Sequence, residues 1–479
     1  MIRPDAIIIG AGISGMACAL ALAHHGIRPL VLETRKKLGG RATSFTDVRS
    51  GEVLDNCQHV ALGCCTNYLA FLRALGTEDQ ISWHDDQYWF EPGGRQSTIT
   101  CAGLGRYMPP PGHYSLSLLA AKFLTTAEKI ILSKGVLDVL AADRSQFRDR
   151  TFTAFLQSSD QTPRLISRFW EPVVVSACNL SCDKVAASSA LHVFQEGFLA
   201  HRQSARIGIP CVPLLELYTN FESSLNAVGG QLALGTSVSS ITPATVTLSR
   251  TGETLRADHV ICATPFEAAL QLADPATKLI DPRFAAMARF THSPIFGVHL
   301  TFDRPVLRTP HAVLVDQATQ WLFAKPVQNG DNNEHQTISA VISAADAWLD
   351  HSEHQIAEHV VADIVCCMPW AASAQLISAR AVKEKRATFA PNVSTENSRP
   401  AATLGPGSLI LAGDYTDTGW PSTMEGAVRS GLIAAAAVLG LPAATLLQKP
   451  LPVAPAARML GLGMPSASTS PGYAATSAF

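Results

Sequence analysis

The sequence has few charged residues and no excess of either sign. Charged residues make up 16% of the 479-residue chain, where about a quarter is usual, and the formal net charge is −2. Without a basic excess the chain has no electrostatic footprint for nucleic acid, so we expect no nucleic-acid partner. Apolar residues reach 47%, which predicts a large buried core and an apolar ligand cavity rather than a disordered protein.

The sequence also lacks a membrane span and a regular cysteine spacing. The long apolar run 431–447 contains Gly440 and Pro442 and is too short to cross a bilayer, so we interpret it as a buried helix. Asp5 interrupts the first apolar run, and we expect no signal peptide. The 11 cysteines are odd in number and irregularly spaced. This pattern favours reduced thiols in a cytoplasmic protein.

The stretch DNCQHVALGCC, residues 55–65, holds an acid, a histidine and three cysteines. Two adjacent cysteines in an extended segment point to opposite faces, and no second cysteine or histidine pair has ligand spacing. We therefore predict neither a metal site nor a redox pair here. Cys64 and Cys65 are interpreted as small apolar fillers.

The first forty residues carry a dinucleotide-binding pattern. A short apolar strand, AIII, precedes Gly10, Gly12 and Gly15 in a GxGxxG motif, an alanine-rich helix follows, and a second strand ends at Glu33. The first glycine permits the turn, the second lets backbone approach a pyrophosphate, and the third lets helix pack on strand. The acid after the second strand can accept hydrogen bonds from a ribose. The pattern predicts a Rossmann-type domain.

Two further stretches specify the dinucleotide. Glu33 is followed by TRKKLGGRATSF, and GSLILAGDYTDTGWPSTMEGAVRSGLIAA lies near the other end of the chain. With the first motif, they resemble the flavoprotein group of amine oxidases, phytoene desaturases and protoporphyrinogen oxidases. The resemblance implies non-covalent FAD, since neither stretch carries an attachment motif. The FAD site that it implies comprises Gly10, Gly12, Ile13, Ser14, Gly15, Glu33, Arg35, Gly40, Arg41, Val238, Gly413, Asp414, Thr423 and Met424.

The resemblance also implies the fold class and the domains. We expect an α/β protein whose Rossmann-type FAD-binding domain comprises residues 1–80, 205–273 and 400–440. An interleaved α+β substrate-binding domain would comprise 81–204 and 274–399. From 441 to 479 the chain is rich in proline, alanine and serine, which predicts a disordered tail.

Four stretches, starting at residues 55, 169, 293 and 412, are more closely similar to the hydroxysqualene dehydroxylases of squalene and hopanoid biosynthesis. That family usually has glycine where this chain has Cys57. The implied reaction is reductive dehydroxylation of hydroxysqualene to squalene, with hydride passing from reduced flavin to an allylic cation. The sequence leaves the proton donor open. The candidates are Asp55, His59, Glu171, Asp417 and Glu425.

Other functions remain open at this point. A carotenoid or phytoene-type desaturase would transfer hydride in the opposite direction on a similar polyene. An amine oxidase fits less well, because the strand SPIFGVHLTF lacks the lysine that such enzymes commonly place near the flavin. A flavin-binding scaffold without turnover is a third alternative. The electron donor is either NAD(P)H or a separate reductase.

The substrate class raises the question of membrane contact. In residues 109–140, apolar side chains including Leu119 and Phe123 recur at helical spacing, and lysines lie among them. Such a stripe belongs either to the protein core or to a membrane-docking face. The docking hypothesis predicts a cytoplasmic protein with peripheral contact to the inner face of the membrane. A small triterpene is the expected substrate, and association with other enzymes of squalene synthesis is a further hypothesis.

Overall fold

The computed structural model describes residues 3–325, 335–462 and 478–479. The strands are β1 (Ala6–Ile9), β2 (Pro29–Glu33), β3 (Ser44–Thr46), β4 (Val53–Asp55), β5 (Ala61–Leu62), β6 (Ile81–His84), β7 (Gln87–Phe90), β8 (Gln96–Ile99), β9 (Ile207–Pro210), β10 (Gln231–Leu234), β11 (Val238–Ile241), β12 (Thr245–Leu248), β13 (Thr254–Arg256), β14 (His259–Cys262), β15 (His292–Phe302), β16 (His311–Leu314), β17 (Trp321–Ala324), β18 (Gln336–Ser343), β19 (Leu376–Phe389) and β20 (Ile410–Leu411).

The α-helices are α1 (Ile13–His24), α2 (Thr66–Ala74), α3 (Ser115–Ala120), α4 (Thr126–Ala141), α5 (Phe152–Ser158), α6 (Pro163–Leu165), α7 (Glu171–Cys178), α8 (Ala187–Phe194), α9 (Phe221–Ala227), α10 (Phe266–Leu272), α11 (Pro275–Ile280), α12 (Pro282–Met287), α13 (Glu353–Cys367), α14 (Val393–Glu396), α15 (Met424–Val438) and α16 (Pro455–Met459). Two π-helical segments interrupt this pattern. Ile166–Trp170 joins α6 to α7, and Gln195–Leu199 extends α8.

A parallel five-stranded sheet with the order β10-β2-β1-β14-β20 forms the first unit. Its central strand β1 is buried throughout, as expected for a parallel strand covered on both faces. Helix α1 lies close against β1 because Gly15 has no side chain. A Cβ atom there would lie 2.0 Å from the carbonyl oxygen of Gly10. The predicted strand, turn and helix of the Rossmann-type motif are confirmed.

Helix α15 packs on α1 and completes this unit. The hydroxyl of Ser430 on α15 lies 2.8 Å from the hydroxyl of Ser14 on α1, and it accepts a hydrogen bond from the Gly413 amide at 2.9 Å. The C-terminal motif is therefore fixed directly beside the N-terminal one. The apolar run 431–447 begins in this buried helix and continues past it.

The second unit is built on a seven-stranded sheet with the order β19-β15-β18-β17-β16-β7-β8, in which only β16 and β7 pair in parallel. Strand side chains alternate between the two faces of a sheet. On β15, Phe296 and Val298 face the core beneath α13, whereas Ile295 faces the opposite side. That opposite side forms one wall of the large cavity described below.

A helical layer covers the other side of this cavity. Helices α4, α5, α7 and α8 share a core in which Trp170 and Phe194 meet edge to face at 4.7 Å, and Trp170 also contacts Phe152 at 5.8 Å. Aromatic pairs of this geometry contribute about 0.5–1.5 kcal/mol beyond their buried area. Both π-helical segments lie in this layer.

The predicted disordered tail is wrong for the described part of 441–479. Leu446 and Leu447 are buried in the core beneath α1, and Ala457 of α16 is buried in the helical layer. The amide of Gln448 donates to the side-chain oxygen of Asn67 at 2.8 Å. Composition misled here, because the leucines spaced among the prolines bury enough apolar surface to order the segment. Residues 463–477 lie outside the described residues.

The stripe of residues 109–140 belongs partly to the core and partly to the surface. Phe123 is fully buried and stacks on Trp89 at 4.9 Å. The chain also breaks between α3 and α4, where Thr125 caps α4 by accepting a hydrogen bond from the Glu128 amide. Leu119, by contrast, is 62% exposed and Ile130 is 70% exposed. In the described part of the chain, the helices are too short or too polar to cross a membrane.

Candidate active site

A cavity of about 690 Å³ lies between the parallel sheet, the seven-stranded sheet and the helical layer. One end lies at the carboxyl ends of β1 and β2, where open α/β sheets bind their ligands. Of the residues predicted to bind FAD, all except Gly15 line this cavity. Chain segments that are far apart in sequence therefore meet at one site.

The N-terminus of α1 forms an anion-binding end of the cavity. Its N-cap is Gly12, which has no side chain to cap the helix, and the first turn contains no acidic residue. The first amides of the helix can therefore serve a ligand, and the helix dipole favours a negative charge there. Gly40 faces Gly12 with a φ of +61°, and a Cβ atom on Gly40 would lie 3.1 Å from the Gly12 Cα. Because Gly12 and Gly40 have no side chains, the space between their backbones stays open to a ligand.

Glu33 is fixed at the rim of the same end. Its Oε2 accepts from the Ala11 amide and its Oε1 accepts from the Arg35 amide, both at 2.8 Å. Each carboxylate oxygen retains acceptor capacity for a further donor. Val238 on β11 lines the same cavity as Glu33.

Arg41 and Asp414 form an ion pair further along the cavity. Asp414 also accepts a hydrogen bond from the Ser422 hydroxyl, and Arg41 donates to the Ala387 carbonyl at 3.0 Å. Burial opposes the charge on Arg41, but Asp414 outweighs burial and raises the pKa of the guanidinium. Glu384 on β19 also lines the cavity and raises this pKa further. Arg41 therefore stays charged at the cavity wall, where Asp414 pairs with it.

The far half of the cavity is apolar. Strands of the second sheet contribute Ile295, Phe323 and Val341, and the helical layer contributes Val173, Ala177, Val193 and Phe198. The π-helical segment Gln195–Leu199 brings Glu196, Gly197 and Phe198 to the cavity wall. Such segments occur frequently at functional sites, because the extra residue redirects side chains.

The five candidate proton donors are placed very differently. Asp55 does not line the cavity, and its carboxylate accepts from Ser44, Leu214 and Lys325 at 2.7–3.0 Å. Burial would raise the pKa of Asp55, but Lys325 and these hydrogen bonds lower it below its ordinary value. Asp55 is therefore an anion whose ion pair with Lys325 joins β4 to the end of β17, and its role in proton transfer stays a prediction.

Glu171 and Asp417 also lie outside the large cavity. Glu171 accepts from the Cys182 amide at 2.9 Å, and Asp417 pairs with Arg148 at 3.7 Å. Glu425 lines the cavity, but its two oxygens accept from the Asn67 side chain at 2.7 Å and from the Tyr68 amide at 2.8 Å. Burial raises the pKa of Glu425.

His59 lines the cavity with a defined tautomer. Its Nδ1 lies 3.0 Å from the carbonyl oxygen of Cys57, and a carbonyl only accepts, so Nδ1 carries the proton. Burial lowers the pKa of His59, which keeps the ring neutral and leaves Nε2 as an acceptor.

Sequence reasoning missed a polar cluster on the helical wall. Arg144 Nη1 donates to His192 Nδ1 at 2.9 Å and to Glu196 Oε1 at 3.0 Å, and both acceptors line the cavity. His192 and Glu196 are four residues apart within a helical stretch, a spacing that places them on one face. That spacing was the available signal, whereas Arg144 lies too far away in sequence to be paired with them.

Residues 13–439 match the family model described as flavin containing amine oxidoreductase. The chain therefore belongs to this family and is an FAD-dependent oxidoreductase. It is 28% identical over 448 residues to the hydroxysqualene dehydroxylase of Rhodopseudomonas palustris, covering 90% of this chain and 97% of the relative. It is 23% identical over 473 residues to the 15-cis-phytoene desaturase of an Oncidium hybrid cultivar, covering 91% and 79%.

Solved structures with the same fold include a putrescine oxidase and a cyclohexylamine oxidase. A double mutant of putrescine oxidase has a TM-score of 0.69 at 16% identity, covering 91% of this chain and 99% of the other. Cyclohexylamine oxidase from Brevibacterium oxydans has a TM-score of 0.64 at 18% identity, again covering 91% and 99%. At this identity the likeness shows the fold. The α/β flavoprotein fold predicted from the sequence is thereby confirmed.

Proposed function

We propose that the large cavity holds FAD at its sheet end and a triterpene in its apolar half. The uncapped N-terminus of α1 and the passage between Gly12 and Gly40 suit a pyrophosphate, with Arg35 and Arg41 beside it. Glu33 would accept from the adenosine ribose, and the Val238 backbone would contact the adenine. The flavin supplies hydride-transfer chemistry when it is bound.

The C-terminal motif suits the flavin end of such a cofactor. Asp414 lines the cavity, and Thr423 caps α15 by accepting from the Gly426 amide at 3.1 Å. A helix N-terminus favours negative charge, which develops on the ring system when it is reduced. Thr423 and Met424 line the cavity at this terminus.

The reaction that we propose is the reductive dehydroxylation of hydroxysqualene to squalene. The observation that carries it is the largely apolar far half of the cavity, whose helical wall also bears His192 and Glu196, both held by Arg144. A C30 hydrocarbon with a single hydroxyl needs this combination of surfaces. The name of the 28%-identical relative supports the same substrate. Apolar walls would exclude water from the cationic carbon and orient it.

A phytoene-type desaturase is the second candidate, supported by the name of the 23%-identical relative. A polyene hydrocarbon has no group for Glu196 or His192 to contact, so the polar cluster favours the alcohol. The proposal leaves two sources for the reducing electrons, NAD(P)H or a separate reductase.

The test is a substrate comparison on purified, anaerobically reduced enzyme. Hydroxysqualene should reoxidise the flavin with formation of squalene, as followed by absorbance and mass spectrometry. Phytoene with oxidised enzyme and putrescine with oxidised enzyme should leave the spectrum unchanged over the same period. Flavin reduction by phytoene, without any reaction of hydroxysqualene, would replace this proposal with the desaturase.

We also propose that the enzyme takes its substrate from a membrane surface. Leu104, Tyr107, Leu116, Leu119 and Ile130 are 41–72% exposed on adjoining elements of the α3 region. Arg106 and Lys122 are exposed among them and complement anionic lipid headgroups. We propose that this apolar and basic surface binds an anionic bilayer.

A further inference from the structure

A second, polar cavity adjoins the large one. It has a volume of about 570 Å³ and lies between the segment 141–148, helix α8, Arg399 and the pair Gly461 and Leu462. His192, Glu196, Trp420 and Pro421 line both cavities and therefore form the wall between them. This polar cavity is called the side chamber below.

The side chamber is built to hold water. The hydroxyl of Ser188 and the Nε2 atom of His192 are buried without a protein partner among the described residues, although both side chains line the chamber. Buried polar atoms of this kind are normally satisfied by ordered water, and the chamber has ample volume for it. Its charged lining has one more acid than arginine: the arginines are Arg144, Arg148 and Arg399, and the acids are Asp143, Glu196, Glu396 and Asp417. Such a lining suits water better than an anion.

Arg144 gives the two polar wall residues different chemistry. A guanidinium only donates, so His192 Nδ1 must accept and the proton of the neutral ring lies on Nε2. Burial, with Arg144, Arg429 and Arg399 nearby, lowers the pKa of His192 well below its ordinary value. A second proton on His192 would break its bond to Arg144. His192 is therefore a fixed neutral group and a poor carrier of protons.

Glu196, unlike His192, can take up and release a proton without losing its hydrogen bond to Arg144. Its Oε1 is held by Arg144, whereas its Oε2 makes no hydrogen bond within the described residues, and the side chain is 30% exposed. The π-helical segment places it between the side chamber and the apolar half of the large cavity. One carboxylate oxygen is thus anchored, and the other has no hydrogen-bond partner among the described residues in a side chain that lines both cavities.

We propose that Glu196 carries a proton from the water of the side chamber to the hydroxyl group of the substrate. This inference rests on the proposed dehydroxylation. The proton on Glu196 passes to the hydroxyl oxygen, the C–O bond breaks, and water leaves. The allylic carbon then receives a hydride, with its two electrons, from reduced FAD. The carboxylate regains a proton from the chamber, which also provides an exit for the product water.

The decisive variant is Glu196→Gln, whose amide oxygen keeps the contact with Arg144 but has no proton to transfer. Loss of a general acid lowers rates by roughly 10²–10⁴-fold, so kcat for hydroxysqualene should fall by about 100-fold or more. Binding of hydroxysqualene to the oxidised enzyme, measured from the flavin absorbance change, should stay within about threefold, because the anchored wall is retained. Glu196→Asp should keep part of the activity. Glu222→Gln, the same substitution at an exposed glutamate that lines neither cavity, is the matched control and should behave as wild type.

A second substrate distinguishes a loss of proton transfer from a structural effect of the Glu196→Gln substitution. The acetate ester of hydroxysqualene loses an anion, which needs no full proton, so wild type and Glu196→Gln should reduce it at similar rates. Equal loss of alcohol and ester turnover would assign Glu196 a structural role, and unchanged alcohol turnover would remove it from the reaction. Either result overturns the inference and leaves the proposed function intact. Failure of wild type to reduce hydroxysqualene would overturn both.

Discussion

Replacing Asp55 by asparagine tests whether this acid is structural or catalytic. Asparagine can still accept from the Ser44 hydroxyl and the Leu214 amide through its oxygen, but its amide group would face the ammonium of Lys325, which lies 3.0 Å from Asp55 in the native protein. The substitution therefore removes the charge while keeping the shape. It leaves two donors opposed to each other in a nearly dry site.

The size of the effect follows from the burial of the pair. Loss of one partner of a buried ion pair costs about 3–5 kcal/mol. The Asp55 side chain is 4% exposed but that of Lys325 is 26% exposed, so partial hydration of the ammonium should reduce the loss of unfolding free energy to about 2–3 kcal/mol. The double variant Asp55→Asn/Lys325→Met removes both charges and should recover about 1 kcal/mol or more.

Denaturant unfolding at pH 7 measures these differences. Glu78→Gln, which breaks the surface pair of Arg73 and Glu78, is the control and should change stability by less than about 1 kcal/mol. The pKa of Asp55 is lowered on folding, so its stabilising contribution is complete above about pH 4 and is lost as the pH falls through the lower folded pKa. The difference between wild type and Asp55→Asn should shrink accordingly in acid. Native stability with a 100-fold loss of turnover would instead make Asp55 the proton donor.

Three further predictions address the cofactor, the tail and the membrane. Gly12→Val should give colourless protein, because the side chain fills the pyrophosphate passage; stoichiometric bound FAD would contradict the site. Truncation after Leu441 should reduce soluble yield and lower the melting temperature, because it removes buried leucines worth about 2–5 kcal/mol each; an unchanged melting temperature would show that the tail contributes nothing. Leu119→Glu with Ile130→Glu should abolish co-sedimentation with anionic liposomes while FAD content is retained, and undiminished binding would rule this surface out.

Local patterns in the sequence were sufficient for the nucleotide-binding motif. The apolar strand, the glycines and the helix lie within about thirty residues, so their geometry depends on neighbours along the chain. The positions of Glu33 and Gly40 could be predicted from the same stretch of sequence, because both residues lie at or shortly after the end of the second strand. The C-terminal block was recognisable for a similar reason, because strand, turn and Thr423 cap are contiguous.

Features that depend on distant contacts could not be predicted in the same way. Arg144 and His192 are 48 residues apart, and only the packing of the 144–147 turn against α8 joins them. Lys325 reaches Asp55 across 270 residues, which places this candidate acid in an ion pair. Phe123 fits a helical stripe as well as Leu119 does, but the position of Trp89 decides that it is buried.

The domain division made from the sequence and the role of each domain stay predictions. The five strands of the parallel sheet fall within 1–80, 205–273 and 400–440, and those of the seven-stranded sheet fall within 81–204 and 274–399. The chain crosses repeatedly between the two units. A cavity between them is the natural consequence, since each crossing brings a loop to the same interface.

The proposed hydride transfer from reduced flavin to hydroxysqualene is tested most directly by a single turnover of the FAD-loaded enzyme in D₂O. The enzyme is reduced under anaerobic conditions, freed of excess reductant and mixed with hydroxysqualene. One molecule of squalene should form for each flavin oxidised, and it should carry one deuterium at the carbon that bore the hydroxyl group. Flavin that stays reduced, or squalene without deuterium at that carbon, would contradict this proposal.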